Sequence, residues 1–250
     1  MKKLFINIFV LLLPLLAMGQ MQIGLKGGYI YYWFTDPEDG QYYTQYDYSH
    51  NAFAIAATIR QRSLHTFNYG FELEYSNRSF DVESSWGGLG AGTDADLSYT
   101  LGNIFIHFQP QFTFGSKFKF FIYPGIYFGT LLHSSLQGTI HSWQMGNPVV
   151  SETDTINGSA GDYYPNFEFG ISPGIGIEFP VYNNLNLVFE YKFTMNLLPI
   201  AGSWGSDKVK MLNMNFEVGL AYTLGKKKSN IEAGHRSKEQ SGDTSEYLYH

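Results

Sequence analysis

Apolar and polar residues alternate along most of the chain, and the alternation is clearest between Asn166 and Phe179. The odd-numbered positions there are Phe167, Phe169, Ile171, Pro173, Ile175, Ile177 and Phe179. The even-numbered positions are small, polar or charged: Asn166, Glu168, Gly170, Ser172, Gly174, Gly176 and Glu178. Because successive side chains of a β-strand point to opposite faces, this pattern predicts a strand with one wholly apolar face.

Seven further segments show the same period of two, and they lie at 23–33, 53–60, 67–75, 97–114, 118–132, 185–195 and 212–224. In the 97–114 segment the phase of the alternation changes near Gly102 and Asn103, which predicts a β-bulge at that point. The chain is therefore predicted to be all-β, with eight antiparallel strands.

The connections between the predicted strands are alternately short and long. The short ones are 61–66, 115–117 and 180–184, and the long ones are 35–50, 81–95, 133–162 and 196–210. Outer-membrane barrels of bacteria have short turns on the periplasmic side and longer loops outside. The predicted fold is thus an eight-stranded antiparallel up-and-down transmembrane β-barrel in the cell outer membrane, with both termini in the periplasm.

A secreted lipocalin-like barrel, which would hold its apolar face inside around a ligand, is the competing all-β interpretation. An eight-stranded barrel has an interior just wide enough for side chains, so the glycine-rich face belongs inside. Aromatic residues also fall near the expected membrane edges, as in the two girdles of outer-membrane barrels. The predicted girdle residues are Tyr31, Trp33, Tyr75 and Tyr99 at the loop end, and Phe67, Phe114, Phe118, Phe179 and Tyr222 at the turn end.

Composition supports a barrel that crosses a membrane. Aromatic residues make up 18% of the chain and charged residues only 15%, whereas an average soluble domain carries about 25% charged residues. After the N-terminus no apolar run is long enough for a spanning helix. The net charge of -6 argues against nucleic acid as a partner.

The two ends of the chain differ from the alternating region. Lys2 and Lys3 precede an apolar run at 4–16 and the small-residue pattern Ala17-Met18-Gly19, which predicts a signal peptide over residues 1–19. The barrel is predicted over 20–224, followed by a polar, disordered periplasmic tail over 225–250. The absence of cysteine excludes disulfides and a lipid attached to a cleavage-site cysteine.

Two stretches carry a resemblance to a known family. They are FEFGISPGIGIEFPVYNNLNLVFEYKFTMNL at 167–197, and LGNIFIHFQPQFTFG with KFKFFIYPGIYFGTLL within 101–132. These stretches resemble the PorT-like outer-membrane β-barrel domains of Bacteroidota. The resemblance implies an exported eight-stranded barrel. The predicted location in the outer membrane makes outer-membrane lipid and lipopolysaccharide expected partners. Because the family is named after a member tied to type IX secretion, it also implies an envelope or secretion-machinery protein as a partner.

The chain departs from that family in two places. The fourth predicted strand lacks the usual proline close behind its aromatic-leucine pair, and the nearest proline is Pro110. The tail at 225–250 also follows the last strand, so the assembly signal would be read at an internal position.

Charged residues on the predicted inner face are the first candidate site. They are the bases Lys26, Arg60, Arg78, Lys119 and Lys192 and the acids Glu72, Glu74, Glu168, Glu178, Glu190 and Glu217. Buried charges are tolerated only when they are paired and hydrogen-bonded. The set therefore predicts a nearly neutral ion-pair network that plugs the lumen, and a pore would need a wider barrel. Glu72 and Glu74 share one face of the same strand, and the rise of a β-strand places them about 7 Å apart. Such a pair could act as an acid and a base, but nothing in the sequence marks a substrate cleft around them.

The predicted function is that of a non-enzymatic outer-membrane barrel with a structural, adhesive or secretion-accessory role. An outer-membrane lipid hydrolase or acyltransferase is the alternative function. It predicts a Ser, a His and an acid that converge at one rim of the barrel. His107 is the candidate base, and a contact of His107 with both a serine hydroxyl and a carboxylate would favour this alternative over the non-enzymatic one. The seven histidines show no metal-binding spacing, so the sequence predicts no metal site. It also predicts no catalytic residue and no cofactor.

Tyrosines in the first long loop are the second candidate site. Tyr42, Tyr43, Tyr46 and Tyr48 lie among several acidic residues, and rigid aromatic side chains are common at recognition surfaces. They suggest binding of sugars or proteins outside the cell. The same composition also suits a solvated acidic loop above anionic lipid headgroups, with divalent cations between them.

Overall fold

The computed structural model describes residues 20–34, 43–47, 52–62, 66–88, 90–116, 118–145, 150–159, 165–198 and 211–224. The predicted signal peptide, the predicted tail, and most of the loop at 196–210 lie outside the described residues. Tyr42 and Tyr48 do so as well. No helix within the described ranges is long and apolar enough to cross a membrane.

The described residues form antiparallel strands. They are β1 (Gln20–Phe34), β2 (Tyr43–Asp47), β3 (Phe53–Arg62), β4 (Phe67–Gly88), β5 (Ala91–Phe114), β6 (Lys119–Tyr123), β7 (Ile126–Gln144), β8 (Val150–Gly158), β9 (Phe167–Ile171), β10 (Gly174–Tyr182), β11 (Leu185–Asn196) and β12 (Met211–Leu224).

Ten of these strands build a closed ring of eight. Around the ring the order is β1, β3, β4, β5, β6 with β7, β9 with β10, β11 and β12. β6 and β7 follow one another across Pro124 and Gly125, and β9 and β10 follow one another across Ser172 and Pro173. The first and last strands pair from Met21 opposite Leu224 to Phe34 opposite Met211, which closes the ring. The predicted eight-stranded antiparallel barrel is confirmed, and β2 and β8 are additional strands.

The two faces of the wall are as different as the alternation predicts. The outer face is apolar and exposed, with Leu25 at 67% and Ile106 at 53% of full exposure. The inner face is buried and carries glycine, alanine and nearly all of the charged residues of the wall. This is the arrangement of a barrel whose outside faces lipid, because only there is an exposed apolar surface favourable.

Short turns lie at one end of the barrel, here called the turn end. They join β3 to β4, β5 to β6 and β10 to β11, as predicted. The opposite end is called the loop end, and there two predicted loops are wrong. The predicted loop 81–95 is a continuation of β4 and β5 almost to their tight turn, and most of 133–162 belongs to β7 and β8.

These longer strands form a sheet that rises beyond the barrel wall at the loop end. This strand extension consists of β2, residues 80–88 of β4, 91–101 of β5, 134–144 of β7, and β8. Its inner face joins the top of the lumen in one apolar core of Ile30, Tyr32, Ala52, Ala54, Phe80, Val82, Ala95, Leu97, Tyr99, Leu101, Leu136 and Met211.

Tyr99 is only 7% exposed and stacks on Phe80 at 5.0 Å. Its predicted place in the girdle is therefore wrong.

The predicted bulge is present, although its extra residue lies on the neighbouring strand. Gly102 pairs with His133 and Asn103 with Leu131, so Leu132 of β7 has no counterpart in β5. The inner positions of β5 are the odd-numbered ones on both sides of this point, from the apolar Leu97 and Leu101 to the polar Asn103 and His107. The change of phase in the sequence therefore marks a change from an apolar to a polar inner face.

Inner glycines lie opposite inner aromatic rings on adjacent strands. A side chain at Gly129 would collide with the ring of Phe105, and one at Gly176 with the ring of Phe121. Phe121, Tyr123 and Tyr127 are all buried within the lumen. The glycines thus provide the volume that these rings fill.

Candidate functional site

Lys26 lies at the centre of the lumen and contacts three carboxylates. Its Nζ atom is 2.7 Å from Glu72, 2.8 Å from Glu190 and 2.5 Å from Glu217. None of these side chains is more than 4% exposed. The four residues come from β1, β4, β11 and β12, so the contacts cross the lumen and connect strands that do not all pair directly.

Lys192 is the second central base. Its Nζ atom contacts Glu74, lies 2.6 Å from Glu72 and lies 3.2 Å from Glu217. Arg60 joins from another side, 2.7 Å from Glu190. The central cluster is defined as these bases with their carboxylates, namely Lys26, Arg60, Lys192, Glu72, Glu74, Glu190 and Glu217.

Two further ion pairs flank the central cluster. Towards the loop end, Arg78 lies 2.6 Å from Glu168, and the Asn103 side-chain amide donates to the same carboxylate at 2.9 Å. Towards the turn end, Arg62 contacts Glu178. The lumen thus contains paired charges at three successive positions along its axis.

Arg62 is the one base of these pairs that the sequence analysis did not include. Its inward orientation could have been predicted from the alternation, because Arg60 and Arg62 share a face of β3. Lys119 was included, and the structure places it half-buried at the turn end, opposite Glu178 in the register. With Arg62, the inner bases number six against six acids.

Neutral side chains complete the network. The Gln109 amide donates to Glu72 at 2.8 Å, the Tyr123 hydroxyl donates to Glu190, and the Gln22 amide donates to Glu178 at 3.0 Å. These partners satisfy carboxylate lone pairs that the bases leave open, as buried charge requires. The sequence alone does not reveal these partners, because an inward amide or hydroxyl has no distinctive spacing.

His107 contacts both a serine and a carboxylate. Its Nδ1 atom is 3.3 Å from the Ser172 hydroxyl oxygen, and its Nε2 atom is 3.4 Å from Glu74. A contact of His107 with both a serine hydroxyl and a carboxylate favours the hydrolase or acyltransferase. The serine comes from the break between β9 and β10, so no sequence spacing could have linked it to His107.

The surroundings of this Ser–His–Glu set differ from those of a catalytic rim. Ser172 is 0%, His107 1% and Glu74 3% exposed, and Glu74 is also held by Lys192. Ser172 packs against Gly125, which lies in the break between β6 and β7, and a Cβ atom on Gly125 would collide with it. A nucleophile must reach its substrate within hydrogen-bonding distance, and this hydroxyl is enclosed inside the barrel.

Two groups within the described residues bring potential metal ligands together, Glu72 with Glu74 and His107, and Glu72 with Glu190 and Glu217. In both groups a lysine ammonium already contacts the carboxylates, at 2.5–2.8 Å in the case of Lys26. The ammonium groups supply the positive charge that a metal ion would otherwise bring.

The loop tyrosines are only partly described. The backbone of Tyr43 pairs with Ser85 and that of Tyr46 with Val82, so β2 adds a strand to the edge of β4. This places the backbone of two of the four predicted recognition residues on the strand extension.

Comparison with known proteins finds similar solved structures and one matching family model. Solved barrels that resemble the chain include Neisserial surface protein A (11% identity, TM-score 0.40, covering 81% of this chain and 96% of that one). A major outer membrane protein from Thermus thermophilus has 10% identity and a TM-score of 0.42, covering 82% and 99%. OprG from Pseudomonas aeruginosa has 13% identity and a TM-score of 0.38, covering 83% and 97%. These likenesses concern the fold alone.

No curated protein is similar enough in sequence to count as a relative. A family model does match, and it covers residues 16–202, most of the barrel. Together with the closed ring, the apolar outer wall and the charged interior, this match establishes that the chain belongs to the outer membrane protein beta-barrel domain family.

Proposed function

We propose that the protein is a non-enzymatic, non-conducting outer-membrane barrel that serves as a rigid anchor for its strand extension. The extension would carry a structural, adhesive or secretion-accessory role outside the cell, while both termini lie in the periplasm. We also propose that the chain is a PorT-like barrel domain. Its partner would be an envelope or secretion-machinery protein.

The observation that carries the proposal is the filling of the lumen. Ion pairs at three positions along the axis, with Lys26 and Lys192 at the centre, occupy the space between the strands. The apolar core that includes Leu97 and Leu136 lies above them at the loop end. Moving an ion through this interior would require paired charges to separate in a medium of low dielectric constant, which is costly.

The strand extension supports the role as an anchor. The tight turn between β4 and β5 lies ten residues beyond Arg78, or about 33 Å along an extended strand. Its apolar inner face packs in one core with residues of the barrel itself. An element held this way is rigid relative to the wall, and rigid scaffolds are what recognition surfaces are built on.

Conductance in planar lipid bilayers tests the closed lumen. The full chain should insert without producing steady ohmic current steps if the paired side chains inside the described strands close the lumen, as we propose. As a comparison, the current is also recorded for a double variant, Leu97→Gly with Leu136→Gly, which removes apolar volume above the ion pairs. Steady single-channel steps from the unchanged protein would contradict the proposal.

The hydrolase or acyltransferase is the second candidate function, and the contacts of His107 with Ser172 and Glu74 are the observation that favours it. A fluorophosphonate probe labels activated serines. We expect no labelling of Ser172 in the folded protein, because the hydroxyl is fully buried. Labelling that is lost in Ser172→Ala but kept in a Ser142→Ala control would make the enzyme the better assignment.

A further inference from the structure

The strand extension ends in an open edge at β8. Val150–Gly158 pair with β7 from Gln144 to Leu136 without a shift of register, and no second strand among the described residues pairs with β8. Alternate residues of such a strand direct their backbone N–H and C=O groups away from the strand beside them. The edge of β8 is therefore a row of open hydrogen-bonding groups, which is a template for a further strand.

This edge lacks the features that usually protect one. Natural edge strands are kept from pairing by lysine, by proline, by a bulge or by very short length. The nine residues of β8 contain no lysine and no proline, and their regular register excludes a bulge. All of them are exposed except the half-buried Ile156. An extended partner can therefore approach β8 along its whole length.

The strand extension is also strongly acidic. It contains no lysine and no arginine, and its acidic residues number seven: Asp47, Asp81, Glu83, Asp94, Asp96, Glu152 and Asp154. The groups of potential metal ligands among the described residues lie in the lumen, so no three described carboxylates of the extension converge as the ligands of one metal ion would. Dispersed negative charge instead attracts a partner whose positive charge is dispersed as well.

The charges on β8 itself determine which strand fits its edge. Glu152 and Asp154 are two residues apart, so they share a face of the strand, and Asp154 is its middle residue. A second copy of β8, paired antiparallel over the full length, would place Asp154 opposite Asp154, and like charges directly opposite are destabilising. A strand with lysine or arginine at alternate positions would place a base opposite each carboxylate.

We propose that the edge of β8 binds an extended basic segment of another protein as an added strand, with bases opposite Glu152 and Asp154. The inference rests on the proposed function, because it names the class of partner that the strand extension would recognise. Backbone hydrogen bonds supply affinity in this mode of binding, and the side chains supply selectivity. The other face of β8 carries Ser151, Thr153 and Thr155, which favour small hydroxyl residues between the bases of the partner.

Binding of a labelled peptide tests the proposal. The full chain is placed in nanodiscs of phosphatidylcholine, which has no net charge to attract a basic peptide. Fluorescence anisotropy then follows a peptide of alternating lysine and threonine that is as long as β8. This peptide should bind saturably. The same peptide with glutamate for lysine should not bind, and neither should one N-methylated at two adjacent central residues, because methylation there blocks both of its edges.

Charge variants of the protein locate the site. Glu152→Gln with Asp154→Asn should weaken binding by about 5- to 10-fold, as expected for the loss of two cross-strand charge pairs. Glu83→Gln with Asp96→Asn removes the same charges where the two residues pair across β4 and β5. Asp96 lies two strands from β8, or about 10 Å, so salt screens it and the control should weaken binding by less than about twofold.

Equal weakening by the two double variants, or binding of the N-methylated peptide, would mean that the general charge of the extension holds the peptide, and would overturn the proposal. Thr155→Cys tests for a second copy, because it introduces the only cysteine of the chain. We expect no cross-linked dimer with a short bismaleimide, and a dimer would contradict the proposal too. Absence of peptide binding would refute this inference alone, since the proposed function fails separately, through current steps in planar bilayers.

Discussion

Replacing Lys192 with methionine should lower the free energy of unfolding by about 3–5 kcal/mol, the usual cost of removing one partner from a buried ion pair. The Nζ atom of Lys192 contacts Glu72, Glu74 and Glu217, and the side chain is 0% exposed. Methionine fills most of the volume, so the loss comes mainly from carboxylates left without a counter-charge. Urea unfolding in micelles, followed by tryptophan fluorescence, measures the change.

Two further variants separate charge from packing. Lys119→Met removes the same charge at the half-buried turn end, where water screens it, and should cost under about 1 kcal/mol. Lys192→Met combined with Glu74→Gln removes one carboxylate charge as well and should recover part of the stability. Equal losses for the two lysine variants, or no recovery in the double variant, would contradict an essential role of the central ion pairs.

Arginine in place of Ile106 should destabilise the protein in lipid vesicles by about 2–4 kcal/mol, the cost of a base on the lipid face near the bilayer midplane. Ile106 points outward, is 53% exposed, and lies between Leu73 and Phe128 on neighbouring strands. Both of these register neighbours are apolar, so the new charge must either remain in hydrocarbon or distort the bilayer. The quantity to measure is the unfolding free energy of protein inserted in vesicles.

The same substitution on the same strand provides the control. Ser98 lies on the exposed face of the strand extension, where its hydroxyl donates to Asp81 at 2.5 Å. Ser98→Arg should change stability by no more than about 0.5 kcal/mol, as is usual at the surface. A loss at position 98 as large as that at position 106 would show that arginine harms β5 in general, and would remove the support for a lipid-facing wall.

Much of the barrel could be predicted from the sequence, because alternation with a period of two depends directly on the environments of the two faces. Phe167 and Ile175 are exposed outside and Glu168 and Glu178 are buried inside, as their positions in one segment required. Short turns such as 180–184 were equally clear, since a few residues between two alternating runs leave room for little else.

The strand extension could not be predicted, because its strands are held by their neighbours rather than by a strong pattern of their own. Residues 84–94 are mostly serine and glycine, which have weak strand propensity. They pair nevertheless, with Ser85 opposite Asp94 and Gly92 opposite Trp143. Tertiary pairing here overrides local preference.

The composition of the lumen was predictable, but its contacts were not. Alternation assigns Lys26 and Glu190 to the inside, yet which acid meets which base depends on strand tilt and on distances across the barrel. His107 adds a second difficulty. The inner face of β5 changes from apolar at Leu101 to polar at Asn103, so the pattern of apolar positions changes phase although the strand does not, and this hides the facing of His107.

The match between inner glycines and aromatic rings has an evolutionary consequence. Gly129 faces the ring of Phe105, and Gly176 faces that of Phe121, so neither member of a pair can change size alone without a collision or a void. Substitutions at these positions should therefore be inherited as compensating pairs, a large residue gained on one strand with a large residue lost on the next. A glycine at either position can therefore be replaced only together with the ring that it faces.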